Sequence, residues 1–191
     1  MNHLLRLACR IEKAVVRIGR LAAWAGLFLV LVTIFDVVTR NFSQSSWEVL
    51  RNLSNAQQKW FGSTLLQELE WHLHTVLFLF CLGYAYIKGA HIRIDVFREK
   101  FSDSTKAWIE IAGLLLFLLP FCFLVITFAI DFAISSYLQH EGSASGGGLP
   151  HRWIIKASLP VGLILLACSG IAILLKQIVL LTGESRQQDE S

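Results

Sequence analysis

Long apolar stretches separated by short polar segments dominate the chain. Each stretch runs with few charges for about 20 residues, the length that an α-helix needs to cross the hydrocarbon core of a bilayer. Charged side chains cluster at the ends of these stretches, because a charge inside hydrocarbon is costly. The pattern predicts an all-α integral membrane protein with four transmembrane helices, at about residues 21–41, 66–88, 108–132 and 153–180.

The second predicted span has the most informative ends. It begins with two carboxylates and a tryptophan, Glu68, Glu70 and Trp71, and it ends at Lys88 before the sequence GAHIRID of residues 89–95. Between Glu70 and Lys88 lie 17 residues, or about 26 Å of helix at about 1.5 Å per residue. That length suffices for a span when the two charged side chains reach toward the membrane surfaces.

Residues 1–20 carry five basic side chains and one acidic side chain, with apolar residues at helical spacing. This pattern predicts a basic amphipathic helix on an anionic membrane surface. A basic start before an apolar run also resembles a signal peptide. The run continues to Phe35 without an A-x-A-like cleavage site, so we interpret it as an uncleaved first span. Residues 21–182 are then the four-helix membrane domain, and residues 183–191 are a polar cytoplasmic tail.

The segments between and within the spans give further expectations. Residues 42–67 mix tryptophan and apolar side chains with polar ones, which fits either a short helix in the outer interface or an ordinary polar loop. Pro120 predicts a kink in the third span, and Gly113 suggests close helix packing there. Pro160 is expected in the first turn of the fourth span, where proline is tolerated.

Composition and charge support this topology. The chain is 54% hydrophobic and 16% charged, with a mean hydropathy of +0.56, whereas soluble domains carry about a quarter charged residues. A net charge of +3 gives no reason to expect a nucleic-acid partner. Twelve basic residues lie in the N-terminal segment, the 88–106 loop and the C-terminal side, against five in the opposite loops. The excess places both termini in the cytoplasm.

Few residues suggest chemistry. Glu68/His72 and Glu70/His74 are spaced so that each pair shares a helix face, but no other span supplies matching ligands for a metal. Hydrogen bonds to neighbouring helix ends or to a partner subunit are the favoured interpretation. A haem would need histidines on facing helices, and only His72 and His74 lie on a span.

The glycine-rich segment 142–150 lacks the Gly-Lys-Ser/Thr ending of a phosphate-binding loop. The four cysteines have no metal-site spacing, and no arrangement of nucleophile and base is visible. We therefore expect no catalytic residue, no cofactor and no metal site in this chain, and we do not expect an enzyme.

Polar residues at the membrane edges remain to be explained. Near the predicted outer face lie four acids, with three basic residues as counter-charges: Asp36, Glu68, Glu70 and Asp131, and Arg40, Arg152 and Lys156. Such groups serve either a transport pathway or docking. Four simple spans lack the paired broken helices of a transport pathway, so docking to other subunits is favoured. Two alternatives stay open, namely a membrane anchor subunit of a respiratory oxidoreductase and a small autonomous oligomeric transporter.

Three segments together resemble a known family. LQELEWHL at 66–73, GAHIRIDVF at 89–97 and GGLPHRWIIKASLPVG at 147–162 are similar to the small membrane subunit, the DctQ-type small permease, of tripartite ATP-independent periplasmic (TRAP) transporters. The resemblance implies a partner that is a large multi-span membrane subunit, which carries the substrate and the coupling ion, expected to be Na⁺. It also implies a periplasmic substrate-binding protein that delivers a small organic solute, expected to be an organic acid.

The same resemblance implies a location in the bacterial inner membrane, in contact with lipid, and a set of subunit-interface candidates. Glu68, Glu70 and Trp71 would fix the outer end of the second span. Four residues would order the inner loop against the large subunit: Gly89, His91, Arg93 and Asp95. Five more would shape the outer entry to the fourth span: Gly148, Leu149, Pro150, Trp153 and Lys156.

Overall fold

The computed structural model describes residues 2–90, 101–145 and 147–189, and in these ranges every regular element is helical. The helices, numbered here in chain order, are α1 (Asn2–Phe42), α2 (Glu48–Trp60), α3 (Gly62–Ile87), α4 (Asp103–Gly113), α5 (Leu119–Leu138) and α6 (Trp153–Asp189). A π-helical segment, Leu114–Leu118, joins α4 to α5 without a break. Residues 91–100, and with them the predicted site residues His91, Arg93 and Asp95, lie outside the described ranges.

The basic N-terminal segment and the first predicted span form one continuous helix, α1. Ala8, Val15 and Ala22 are buried along it at intervals of seven residues, the spacing of a seam packed against neighbouring helices. Leu4 and Leu5 are exposed on the same segment. The segment therefore extends the helical bundle while still presenting apolar residues on its outside, and no helix boundary separates residues 1–20 from the span that follows.

Contacts between helices fix their relative directions. Gly19 of α1 lies against Tyr84 of α3, and Phe35 meets Phe61 near the other end, so α1 and α3 are antiparallel. Leu79 of α3 lies against Gly162 of α6, and Glu68 pairs with Arg152 just before α6. Helices α3 and α6 are therefore parallel.

The third helical rod, made of α4, the π segment and α5, runs opposite to α6. Gly170 of α6 lies against Leu118, and Tyr137 at the far end of α5 meets Trp153. At the end of the bundle opposite to Trp153, Lys176 of α6 pairs with Glu12 of α1 at 2.5 Å. The chain therefore passes along the bundle four times in alternating directions, and its N- and C-terminal sides lie at the same end.

Small residues allow the helices of this bundle to approach closely. A Cβ atom placed on Gly83 of α3 would lie 2.7 Å from the backbone oxygen of Leu165 in α6. The hydroxyl of Ser169 donates to the Gly83 carbonyl at 3.1 Å across the same contact. Small residues and cross-helix hydrogen bonds are typical of helix packing in membranes. The prediction for Gly113 was wrong, because a Cβ atom there meets nothing within 4 Å.

Among the described residues, three helical stretches are long and apolar enough to cross a membrane: His3–Phe42, Asp103–Leu138 and Trp153–Gly183. Their surfaces are apolar, as a lipid environment requires, with Phe117 and Phe123 exposed to 73% and 76%. Helix α3 falls outside this set, since its first half carries Glu68, Glu70 and two histidines. The chain is an all-α membrane protein, and the fourth span stays a prediction.

Two prolines modify the long helices. Pro120 lies two residues after the end of the π segment Leu114–Leu118, so the change of helical hydrogen bonding occurs close to a residue that lacks an N–H group. Pro160 lies inside α6 rather than in its first turn, because the helix already begins at Trp153.

The loop between the first two spans contains the short helix α2, so the helical alternative is the correct one. Its buried residues are polar, Ser54 and Gln57, whereas Val49 and Trp60 are exposed. The helix turns its apolar side outward, which is expected for a helix that borders lipid rather than water.

Candidate functional site: a carboxylate that anchors the outer loop

The candidate site lies where the connection between α5 and α6 crosses the first turns of α3. We call residues 139–152 the outer loop. It is rich in glycine and serine, and its described residues make few backbone hydrogen bonds, among them one from Arg152 N–H to the Glu141 carbonyl at 3.0 Å. A loop of this composition needs side-chain contacts to hold one conformation.

Glu68 supplies the central contact. Its Oε1 atom accepts a hydrogen bond from the Ser143 hydroxyl at 2.5 Å and another from the Arg152 guanidinium at 3.1 Å. Its Oε2 atom accepts from the Leu149 backbone N–H at 2.6 Å. One carboxylate on α3 thus binds the outer loop at three points, near its beginning, near its end and where the chain enters α6. The loop lies more than 70 residues away from Glu68 in sequence. We call Glu68, Ser143, Leu149 and Arg152 the Glu68 anchor.

The burial of Glu68 makes this contact demanding. Only 9% of its side chain is exposed, and Arg152, its ion-pair partner, is 27% exposed. A buried carboxylate is stable when it is paired and when its remaining lone pairs accept hydrogen bonds, and the anchor meets both conditions. Arg152 also lies over the Trp71 ring, 6.0 Å from its centroid, which holds the guanidinium between α3 and the loop.

Gly148 has a steric role in the anchor. A Cβ atom at this position would overlap the Glu68 carboxylate and the Ser143 side chain. Only glycine therefore lets the backbone come close enough for the next residue, Leu149, to donate its N–H group to Glu68. Pro150 follows as an exposed residue, and His151 has a positive φ of 60° where the chain turns into α6.

A second ion pair lies beside the anchor. Glu141 Oε2 accepts hydrogen bonds from the Lys156 ammonium and, at 2.7 Å, from the Ser136 hydroxyl. The ammonium of Lys156 and the Ser136 hydroxyl lower the pKa of Glu141 from its ordinary value. Lys156 also lies over the Phe132 ring, 4.0 Å from its centroid. These contacts tie the loop to the end of α5 and the first turn of α6.

Trp153 begins α6 and packs edge-on against Tyr137 of α5, with ring centroids 5.4 Å apart. The structure therefore brings seven of the predicted residues to one region: Glu68, Trp71, Gly148, Leu149, Pro150, Trp153 and Lys156. Glu70, two residues after Glu68, has a buried Oε1 atom without a hydrogen bond within the described residues.

Gly89 lies at the opposite end of α3, far along the chain from this region. It has a positive φ of 64° and ends the helix in a Schellman motif, in which Gly89 N–H donates to Tyr86 and Ala90 N–H to Ala85. This geometry explains why glycine is required there. The prediction for the rest of the inner loop, at His91, Arg93 and Asp95, concerns residues outside the described ranges.

The spaced Glu/His pairs do not form carboxylate–imidazole contacts in the way a metal site would need. His72 Nδ1 donates to the backbone carbonyl of Glu68 at 2.5 Å, and the Glu68 carboxylate turns to the loop. Within residues 2–90, 101–145 and 147–183, no three His, Cys, Asp or Glu side chains are grouped to hold a metal ion. The site is an ion-paired hydrogen-bond network that fixes a loop.

Sequence reasoning had named Arg152 only as a counter-charge and had not singled out Ser143 or Glu141. Serines and acids in a glycine-rich loop have no periodic pattern that could mark them. A weak signal was present in the outer acids themselves, because Asp36 and Glu68 are buried and Glu70 is half-buried, and buried carboxylates need partners. One of these acids, Asp36, pairs with a basic residue four positions away in the same helix: Arg40 lies 3.1 Å from its carboxylate within α1.

Comparison with known proteins agrees with this architecture. The family model for the DctQ component of tripartite ATP-independent periplasmic transporters matches residues 29–180, which include α2, α3, the outer loop and most of α6. No curated protein and no solved structure matches the chain. DctQ is a family of transporter components rather than of enzymes. Because the match covers well over half of the chain, this protein belongs to the DctQ family of TRAP transporter small permease components.

Proposed function

We propose that this chain is the small permease that braces the large membrane subunit of a TRAP transporter, and that its outer loop forms part of the surface on which the periplasmic substrate-binding protein docks. The observation that carries the second part is the Glu68 anchor, which holds an exposed loop in one conformation. A loop that is ordered in advance loses less conformational entropy when a partner binds.

The membrane topology belongs to the same proposal. We infer four spans, with α3 as the second, both termini in the cytoplasm and the outer loop in the periplasm. Support comes from the alternating directions of the four rods and from the Lys176–Glu12 pair, which joins the two terminal sides at one end. The excess of basic residues on that side of the membrane supports a cytoplasmic location for it.

The transport chemistry is assigned to the partners. The large subunit would carry a small organic acid together with a coupling ion, expected to be Na⁺, across the bacterial inner membrane. This chain contributes no catalytic group, cofactor or metal site in this proposal. The inner residues His91, Arg93 and Asp95 would contact the large subunit together with Gly89 at the end of α3.

Purification of the chain from its native membranes in mild detergent tests the subunit assignment. Mass spectrometry should find a large multi-span membrane protein and a soluble periplasmic protein, and the visible spectrum should show no haem band. Recovery with redox subunits and a Soret band would make it a respiratory anchor. Transport by the purified chain alone would instead make it an autonomous transporter.

Uptake measured at increasing concentrations of the binding protein tests the role of the loop. Ser143→Ala removes a hydrogen bond to a buried carboxylate, and Ser145→Ala is a matched control because its exposed hydroxyl makes no described contact. We expect Ser143→Ala to raise the concentration of binding protein needed for half-maximal uptake, with the large subunit still co-purifying. Identical uptake curves for the two variants would refute docking through this loop.

A further inference from the structure

A groove between α3, α5 and α6 lies beneath the outer loop. Its volume is about 410 Å³, within the range of about 300–1,000 Å³ that is typical of ligand sites. The groove opens to the side of the bundle, where Phe78 of α3 is 59% exposed. Nothing in the function proposed above uses it.

Two regular helix faces form the walls. Helix α3 contributes residues spaced by three and four, including Trp71, Thr75 and Leu79, which therefore lie above one another. The chain entering α6 contributes Arg152, Lys156 and their neighbours in the same spacing. The groove is thus a strip parallel to the helices, and in a membrane it would run along the direction of the lipid chains.

The two ends of the strip differ in polarity. Arg152 and Lys156 lie at the end next to the outer loop, and Phe78, Leu79 and Leu159 lie farther in. From Trp71 to Leu79 the strip extends eight residues, or about 12 Å at about 1.5 Å per residue. One leaflet contributes about 15 Å to a hydrocarbon core of about 30 Å. The groove therefore has the length and the polarity gradient of a phospholipid in the outer leaflet.

The two basic side chains at this end, Arg152 and Lys156, have N–H donors beyond those that bind Glu68 and Glu141. The Arg152 side chain lines this end of the groove and is 27% exposed, and one of its terminal nitrogens binds Glu68. The Lys156 ammonium bonds to Glu141 and otherwise faces the ring of Phe132, which lines the groove. Two cationic side chains at one end of a mainly apolar groove suit an occupant that carries negatively charged oxygen atoms at that end.

We propose that the groove binds a membrane phospholipid, whose phosphate accepts hydrogen bonds from Arg152 and Lys156 and whose acyl chain lies against Phe78, Leu79 and Leu159. An apolar helix of a protein partner would cover the two basic side chains without providing acceptors. A free phosphate would leave the apolar end unfilled. The inference rests on the groove alone and does not depend on docking of the binding protein.

Native mass spectrometry of the detergent-purified full chain, titrated with phosphatidylglycerol, tests this proposal. Thr75→Trp places a large ring in the groove at a position that belongs to neither ion pair, and Leu159→Phe fills the groove from α6 should the first variant fail to insert. Phe123→Trp is the control, because it adds the same ring on an exposed position outside the groove.

We expect Thr75→Trp to weaken binding of one phosphatidylglycerol at least about tenfold, since the chain and the phosphate can no longer be held together. Lys156→Gln should have a similar effect, Lys156→Arg should restore binding, and Phe123→Trp should match the wild type. Equal affinity in wild type and Thr75→Trp would overturn the proposal. Displacement of the lipid by millimolar inorganic phosphate would also overturn it. If Thr75→Trp lost the large subunit while lipid binding stayed unchanged, the groove would be a site for a protein helix instead.

Discussion

Replacing Glu68 with glutamine tests whether this one carboxylate holds the outer loop. In the structure two oxygens accept from three donors: the Ser143 hydroxyl, the Arg152 guanidinium and the Leu149 N–H. Glutamine has the same shape but only one acceptor atom, and its amide group must face one of these donors. If its oxygen stays with Ser143 and Arg152, the Leu149 N–H loses its acceptor.

The expected magnitude follows from this lost contact. A hydrogen bond to a charged group contributes about 1.5–3 kcal/mol, and we take about 2 kcal/mol for the N–H of Leu149. At about 1.4 kcal/mol per factor of ten, the population of the open loop should rise about 30-fold. The loop can open without unfolding the helices, so the change should be local.

Amide hydrogen exchange at Leu149 measures this opening directly. Glu70→Gln is the matched control, since it makes the same change on the same helix at a carboxylate whose Oε1 has no described hydrogen bond. We expect exchange at Leu149 to speed up about 30-fold in Glu68→Gln and to stay within about twofold of the wild type in Glu70→Gln. Equal exchange in the two variants would refute the reasoning, because the loop would then be held by something other than Glu68.

Two further predictions concern packing and pH. Gly83→Ala should destabilise the bundle by about 1–3 kcal/mol in thermal unfolding, because the new methyl meets the Leu165 backbone oxygen, whereas Gly113→Ala adds the same methyl in open space; equal stability of the two variants would contradict the packing argument. Pairing with Lys156 lowers the pKa of Glu141. The stability that this ion pair gives to the outer loop is therefore complete above the ordinary glutamate pKa, and it is lost as the pH falls through the lowered pKa of Glu141. Protection of the outer-loop amides from hydrogen exchange should therefore fall in acid. In Glu141→Gln the acid-dependent fall that comes from Glu141 should be absent. A pH profile identical to that of the wild type would contradict a stabilising role for the Lys156–Glu141 pair.

Local patterns in the sequence were sufficient for the class of the protein and for most helix positions. Apolar runs of membrane length predict helices because buried backbone must satisfy its own hydrogen bonds in lipid. Glu68, Gly148 and Leu149 were also named as interface candidates, through motifs that resemble the DctQ family. The resemblance could name these residues together, but it could not say which atoms meet.

Packing partners were harder to predict, and two positions show the reason. Gly113 was expected to mark close packing, but the close contact occurs at Gly83, because a glycine allows an approach only where another helix arrives. The basic segment 1–20 was predicted to be an amphipathic helix; in the structure it forms one helix with the first span, and its Glu12 reaches Lys176 of α6. Neither contact can be inferred from one helix considered alone.

The sequence by itself therefore determined that this protein is helical, lies in a membrane and belongs to the DctQ family, because hydrophobic length and family motifs are properties of short segments. Only the tertiary structure decided that Glu68 binds the outer loop, that Lys156 pairs with Glu141, and that α3 and α6 form a groove with a basic end. Those contacts join residues more than 70 positions apart or connect an irregular loop to a helix, and their energies depend on burial and geometry that no local pattern encodes.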